Sequence, residues 1–338
     1  MSWLLRRCST IKMSILLQAN LALPLFRRGK VRDIYDLGDK LLMVATDRIS
    51  AFDFVLPCGV PNKGRVLNQL SAFWFEKTAH IVPNHLIGVI DSLDALRDVI
   101  ARSEATKQSQ REGDSLLTLG TSLIGRSMVV AKAERIPVEC VVRGYLSGSA
   151  WTEYKESGGA GNIRLPSGMR ESQKLPQSIF TPTTKGEAEH DRPLTNQDIR
   201  NLEEMSLQAG RSNLNLIEEL KEKSLLIYRY ARDYAEGKGI IIADTKFEFG
   251  LINGDLMLID ELLTPDSSRF WDVSQYEIGH SQPSFDKQPV RDWLVASGWN
   301  KEPPAPTLPP EVIEATTQRY NKIYRLFTGK ELITNVSS

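Results

Sequence analysis

The chain has 338 residues, 41% of them apolar and 25% charged, with 42 basic and 42 acidic side chains. That balance suits one large or two smaller globular domains and leaves no global positive field to hold nucleic acid, so any phosphate recognition must be local. Cys8, Cys58 and Cys140 are scattered and odd in number, the four histidines form no metal motif, and no apolar run nears the ~20 residues that span a bilayer, which argues for a reducing compartment and against structural zinc or a membrane span.

Residues 1 to 30 carry Arg6, Arg7, Lys12, Arg27 and Arg28 and no acidic residue. Such a composition suits an organellar transit peptide, or a ragged, poorly ordered leader with Met13 as initiator. The basic residues are few and the leader short, so the second reading is favoured, with residues 1–28 as leader and the cytoplasm as location. Val31 to Tyr35 and Leu41 to Thr46 predict a hairpin through Gly38-Asp39. Leu67 to His80 predicts an amphipathic helix whose Phe73, Trp74 and Phe75 belong to the core. Residues 102 to 115 are polar and aperiodic, a surface insertion. Met128 to Lys132 and Val138 to Val142 are strands, and residues 158 to 188 are loop-rich. A capped helix begins at Thr195 with Asp198 three residues on. A longer one places Ile217, Leu220, Ser224, Ile227, Ala231 and Tyr234 on one stripe and ends at Gly237 and Gly239. After the proline-rich bridge Pro303 to Pro310, a last helix runs from about Glu311 to Phe327. Runs of strands followed by helices predict an α+β chain. Its strand-rich first lobe spans 29–134 and its mixed second lobe 135–338.

The most informative stretch is Gly239 to Asp272. Ile240 to Ile242 open a strand buried on both faces. From Asp244 the pattern alternates, with Asp244, Lys246 and Glu248 on one face and Thr245, Phe247 and Phe249 on the other. Asn253-Gly254 signals a hairpin turn, and the return strand Leu256 to Ile259 ends in Asp260-Glu261. Charges carried on apolar strands are costly unless paired or bound to a cation. A lysine beside carboxylates able to hold Mg²⁺ suits the handling of a nucleoside triphosphate, the alternative being the solvated face of an edge hairpin.

Six segments, in order, carry a resemblance: GKVRDIYDLG (29–38), ATDRISAFD (45–53), IPVECVVRGYLSGSAWTEYKESG (136–158), FTPTTKGEAEHD (180–191), DTKFEFG (244–250) and DELLTPDSSRFWD (260–272). They resemble the SAICAR synthase family of purine biosynthesis from residue 29 to about 300. The 102–115 insertion and the last 40 residues fit that family poorly. The resemblance implies a two-lobed fold related to ATP-grasp enzymes and protein kinases. It also implies ATP- and Mg²⁺-dependent ligation of L-aspartate to carboxyaminoimidazole ribotide (CAIR) through an acyl phosphate, with small molecules as the only partners; oligomeric state is left open.

The roles implied fall on matched positions. Gly29, Lys30, Val31 and Arg32 form the loop facing ATP phosphates, with Lys30 as the charged ligand; on residue pattern alone Gly29-Lys30 is equally a solvated strand end. Outside the matched segments, Lys132, Glu134 and Arg135 lie in a connector (131–135) whose backbone should face adenine because it links the lobes, or which is a plain exposed loop. Glu248 and Asp260 are the metal ligands. Lys246 neutralises phosphate or substrate carboxylate, its alternative being an ion pair with Asp244. Glu139, Val141 and Arg143 share a strand face, which puts a carboxylate and a guanidinium together in the cleft; Arg143 suits two-pronged anion recognition, or a buried ion pair that only orders the strand. Ser149 at a helix start and Arg269 complete the ribotide site, and Lys185, His190 and Asp191 close over substrate. For Asp260 to share a face with Glu248, the hairpin needs an odd-numbered loop, most simply three residues ending at Gly254.

Three other readings compete. An inositol-phosphate-type kinase would share the lobes and carboxylates but has no need of the 136–158 and 180–191 segments. A regulatory nucleotide-binding module would lack Lys30, Glu248 or Asp260. A fusion to a carboxylase needs more residues after 300 than the chain supplies.

Overall fold

The computed structural model describes residues 15–102, 120–185, 192–211 and 215–334. The expected insertion, beyond Arg102, and His190 and Asp191 lie outside these residues. The first lobe contains β1 (Leu25–Arg28), β2 (Arg32–Asp36), β3 (Lys40–Ala45), β4 (Arg48–Ala51), β5 (Phe54–Gly59), helix α1 (Lys63–Thr78), β6 (Leu86–Ile90), α2 (Leu93–Arg102) and β7 (Ser127–Ala131). Its antiparallel sheet has the order β1-β2-β3-β7-β6, with β4 and β5 as a separate hairpin. Period-2 alternation divides the sheet. Tyr35, Leu42, Val44 and Val129 point to an outer core, while Met43, Met128 and Val130 point inward against α1.

The second lobe follows through β8 (Glu134–Arg135) and β9 (Val138–Tyr145), α3 (Ser149–Ser157), β10 (Gly159–Ala160), β11 (Ile163–Arg164), β12 (Lys174–Phe180) and β13 (Thr183–Thr184). Then come α4 (Asn196–Gln208), α5 (Leu216–Glu236), β14 (Ile240–Ile252), β15 (Asp255–Ile259), β16 (Ser268–Asp272), α6 (Gln288–Ala296) and α7 (Pro310–Thr328). Its seven-stranded sheet has the path β12-β9-β14-β15, with β13 beside β9 and with β16 and β8 beside β14. Every pairing in the two sheets is antiparallel, and helices segregate to the sheet faces, so the chain is α+β and two-lobed.

Three expectations require correction. The leader does not end at residue 28: Leu16, Ala19 and Leu23 fill the outer core and β1 pairs with β2, because a five-stranded sheet with an uncovered outer face would expose Tyr35 and Leu42. The stretch 158 to 188 is not only loop. It includes β12, hidden from pattern reading by Pro176, which is tolerated because β12 is the edge strand and its pairing with β9 breaks between Lys174 and Ile179. The 134/135 boundary does not separate two cores, since α1 and α7 meet across it. Trp74 and Phe327 pack edge to face at 5.3 Å, and Tyr324 donates to Gln69 Oε1 at 3.2 Å.

Helix α4 starts as its sequence dictates. Thr195 Oγ1 accepts from the Asp198 N–H at 3.3 Å, and Asp198 Oδ2 accepts from the Thr195 N–H at 2.7 Å. Thr195→Ala removes one half of this box and is expected to cost about 1 kcal/mol. The loss should appear as a lower urea midpoint with unchanged slope and as faster amide exchange confined to residues 196–208; unaltered exchange there would refute the cap. Helix α5 buries Leu216, Leu220, Ser224, Ile227, Tyr228, Ala231 and Ala235; of the expected stripe, Ile217 and Tyr234 are only partly buried against the core. Gly239, at φ 74°, reverses the chain into β14.

Candidate active site

β14 organises the site because it pairs with β9, β16, β8 and β15 along its thirteen residues. Phe247 and Phe249 are fully buried on one face, which fixes Asp244, Lys246 and Glu248 on the face toward the interlobe cleft. Asp244 lies opposite Arg143 of β9 on one side and Arg269 of β16 on the other.

Two charged clusters result. In the first, Asp244 Oδ2 accepts from Arg143 Nη1 at 3.1 Å and from Arg269 Nη1. Arg143 also donates from Nε to Thr181 Oγ1 at 3.0 Å and from Nη2 to Ser149 Oγ at 3.3 Å. Two guanidiniums share one carboxylate, leaving surplus positive charge beside an exposed serine at the first position of α3. The residue capping that helix is Gly148, at φ 57°; a Cβ there would come within 2.3 Å of Arg269 Nη2, so glycine lets the guanidinium lie across the helix start. Asp244 raises the Arg269 pKa, whereas burial lowers that of Arg143 against the pull of Asp244. Both remain cations at neutral pH.

The second cluster lies two strand repeats on. Lys246 Nζ donates to Glu139 Oε1 at 2.9 Å, the Lys185 ammonium lies 2.9 Å from the same oxygen, and Lys185 also donates to Glu248 Oε1. Asp260 Oδ2 accepts from Arg32 Nη2 at 2.6 Å, with Glu261 3.7 Å from the same nitrogen. Burial, then the charge of Asp260, push the Glu248 carboxyl up to about 7, although Lys185 pulls the other way. Asp260 is also buried, which opposes ionisation, but Arg32 and Lys185 outweigh burial and hold it well below the usual carboxylate range. One member of this pair therefore resists sharing the space with a second negative charge.

The hairpin reaches this geometry by an unexpected route. Ile252 pairs with Asp255 and Glu248 with Ile259, a regular two-residue loop with Asn253 at φ 52° and Gly254 at φ 84°. The expected odd-numbered loop is absent. Asp260 instead leaves the ladder in the left-handed region, at φ 67°, which swings its side chain back toward Glu248 and Arg32. A strained residue at the strand end does the work assigned to a bulge.

Other expectations are redistributed. Glu139 and Arg143 share a face but do not pair: Glu139 serves the lysines and Arg143 serves Asp244. Lys246 does not pair with Asp244. Lys30 lies on the β1–β2 turn, half exposed, 2.6 Å from Asp53 Oδ1, and Gly29 has no conformation that demands glycine. The Val31 carbonyl accepts from the Thr46 N–H and hydroxyl. Lys132 pairs with Asp36 at 2.7 Å, while Glu134 and Arg135 form a strand against Leu251 and Gly250, so part of the connector's backbone is already paired. A further cluster escaped the sequence reading. Lys63, wholly buried at the start of α1, lies 2.7 Å from Asp266 Oδ2, with Lys287 at 3.3 Å and the Tyr320 hydroxyl donating to Oδ1 at 2.6 Å. Nothing local marks a lysine at a helix start as buried.

Mg²⁺ favours oxygen ligands and keeps several waters. Glu248 and Asp260 are hard donors that converge, and their mutual repulsion is the kind a divalent cation relieves. Among the described residues no group of three or more ligand side chains gathers, so the pair fits an ion only with phosphate oxygens and water completing its shell. No described helix is long and apolar enough to cross a membrane.

Comparison with known proteins identifies the family. A sequence model for the family described as SAICAR synthetase matches residues 25–306. The phosphoribosylaminoimidazole-succinocarboxamide synthase of Thermodesulfovibrio yellowstonii is 48% identical over 318 residues, covering 94% of this chain and 99% of that protein. Among solved structures, the SAICAR synthase of Saccharomyces cerevisiae complexed with SAICAR superposes with a TM-score of 0.73 at 39% identity, covering 92% of this chain and 96% of the other. A SAICAR synthetase in complex with ADP shares the fold at a TM-score of 0.59 and 24% identity, over 90% of this chain and 98% of its own. Six ordered segments, the two-lobed α+β fold and these matches along nearly the whole length agree, and the chain belongs to the SAICAR synthetase family.

Proposed function

We propose that the chain joins L-aspartate to the carboxylate of CAIR with cleavage of ATP, giving SAICAR, ADP and phosphate in de novo purine biosynthesis. The observation that carries this reading is the placement, along β14, of a two-arginine anion clamp at Asp244 and of Glu248, which Asp260 joins from the end of β15. A carboxylate is a poor electrophile at neutral pH, so it must first attack the γ-phosphorus; the amine of aspartate then displaces phosphate from the acyl phosphate. The protein's tasks are positioning and charge neutralisation.

Arg143, Arg269 and Ser149 hold the phosphate of the ribotide, with Asp244 fixing both guanidiniums. Lys246, braced by Glu139, points its ammonium at the carboxylate end or the transferring phosphoryl group. Gly29 to Arg32 cover the triphosphate; the Lys30–Asp53 pair is exposed and weak, so phosphate can replace Asp53. The connector with Lys132, Glu134 and Arg135 would serve the base, and Lys185, next to Glu139 and Glu248, would stand at the substrate side of the site. Glu248 and Asp260 would hold Mg²⁺, which would supply positive charge against the transferring group. Cys58 and Cys140 are free thiols, which fits a reducing, cytoplasmic setting.

Two measurements test this. ADP release should require aspartate and CAIR together. With ¹⁸O in the CAIR carboxylate, label should appear in the released phosphate; unlabelled phosphate rules the acyl phosphate out.

A further inference from the structure

Glu248 and Asp260 are held together by cations belonging to the chain itself. Arg32 reaches Asp260 from β2, and Lys185 reaches Glu248 from the residue after β13, where its N–H is tied to the Pro137 carbonyl at 3.1 Å. An ammonium on Glu248 Oε1 takes up one of the carboxylate's acceptor sites and repels a divalent ion brought against the same group, so the two compete for Glu248. Lys185 has a second seat already within reach, since its nitrogen also lies 2.9 Å from Glu139 Oε1. Glu139 is 6% exposed and is shared with Lys246, so it stays in place whether or not Lys185 leans on Glu248.

We propose that Lys185 is a resident counter-cation of the metal site. It neutralises Glu248 when no metal–nucleotide is bound and yields to the metal by shifting its weight onto Glu139. Arg32 remains on Asp260 in both states. The arrangement makes the empty site a poor trap for free divalent ions: the metal must displace an internal cation, and the additional phosphate ligands of a metal–nucleotide complex make that displacement favourable. A carboxylate pair without such a partner would bind the metal alone and then wait for nucleotide. The inference rests on Glu248 and Asp260 being the metal-binding pair of the proposed function.

Mn²⁺ binding to the full chain without nucleotide, followed by loss of the free-ion paramagnetic resonance signal, tests this without turnover. Lys185→Met is expected to bind Mn²⁺ at least about tenfold more tightly than the wild type, a coupling of ordinary size between two ligands of one site. Lys185→Arg should bind as weakly as the wild type because the positive charge remains. Lys185→Gln, neutral and polar, serves if the Met variant does not fold, and should also gain affinity. A neutral variant that folds and binds Mn²⁺ no more tightly than the wild type overturns the proposal. Glu248→Gln and Asp260→Asn separate the two layers of argument. If both lose Mn²⁺ while the neutral Lys185 variants gain none, the metal site stands and the counter-cation role falls. If both bind Mn²⁺ like the wild type, the metal-site reading falls and this inference with it.

Discussion

Asp260→Asn is expected to fold as the wild type does and to lose at least about 10³-fold in ATP turnover, because a ligand to the cation that neutralises the transferring phosphoryl group is worth several kcal/mol. The substitution keeps volume and the acceptor oxygen facing Arg32, so the loop after β15 retains its 2.6 Å contact. What it removes is the charge. Burial is the main reason the Glu248 carboxyl is raised to about 7, and the substitution removes the second, the charge of Asp260, so Glu248 should ionise more readily in the variant. A variant that still hydrolyses ATP at a tenth of the normal rate, with an unchanged melting temperature, would show that Asp260 is only the anchor of Arg32. Loss of turnover together with an early melt would instead mean that the Asp260–Arg32 pair, 228 residues apart in sequence, holds the lobes together.

Arg143→Lys should weaken CAIR by about 10–100-fold while leaving the KM for ATP within a factor of about two, the range set by one or two charge-assisted hydrogen bonds. The arginine uses three nitrogens on three partners, Asp244, Thr181 and Ser149, and lysine cannot reproduce that fork. Equal weakening of both substrates would place Arg143 in a purely supporting role on β9. Arg269 gives the contrast: it shares Asp244 but touches neither Thr181 nor Ser149 in these contacts, so Arg269→Lys should also impair CAIR, with a smaller effect on the position of α3.

How much of this could be read from the residues depends on the range of the forces involved. The cleft face of β14 was legible because side chains alternate with a period of two, and Phe247 and Phe249 must be inside. The start of α4 was legible because a capping box is settled within four residues. Asp260 was only half legible. Its pairing with Glu248 was implied by the family resemblance, but the route was not, since a single left-handed residue after a strand answers to a partner on β2 rather than to its neighbours. The Lys63–Asp266 pair spans 203 residues and has no local signature. The partners of Glu139 were missed for a related reason. Strand periodicity places it near Arg143, while the lysines that claim it come from β14 and from the segment after β13.

β14 also sets a length scale. Asp244 and Glu248 are four residues apart on an uninterrupted strand, so their α-carbons are separated by about 13 Å at the usual rise of an extended chain. On the proposed assignment of the site, the strand behaves as a ruler with an anion grip near one mark and a cation seat near the other, and its pairing on both edges keeps it from stretching. A substrate must reach from one mark to the other before its carboxylate meets the phosphoryl donor. A base lacking its sugar phosphate can occupy only the far mark, and a sugar phosphate lacking the base only the near one. Selectivity for the whole ribotide would thus be written into backbone geometry before any atom of the heterocycle is recognised.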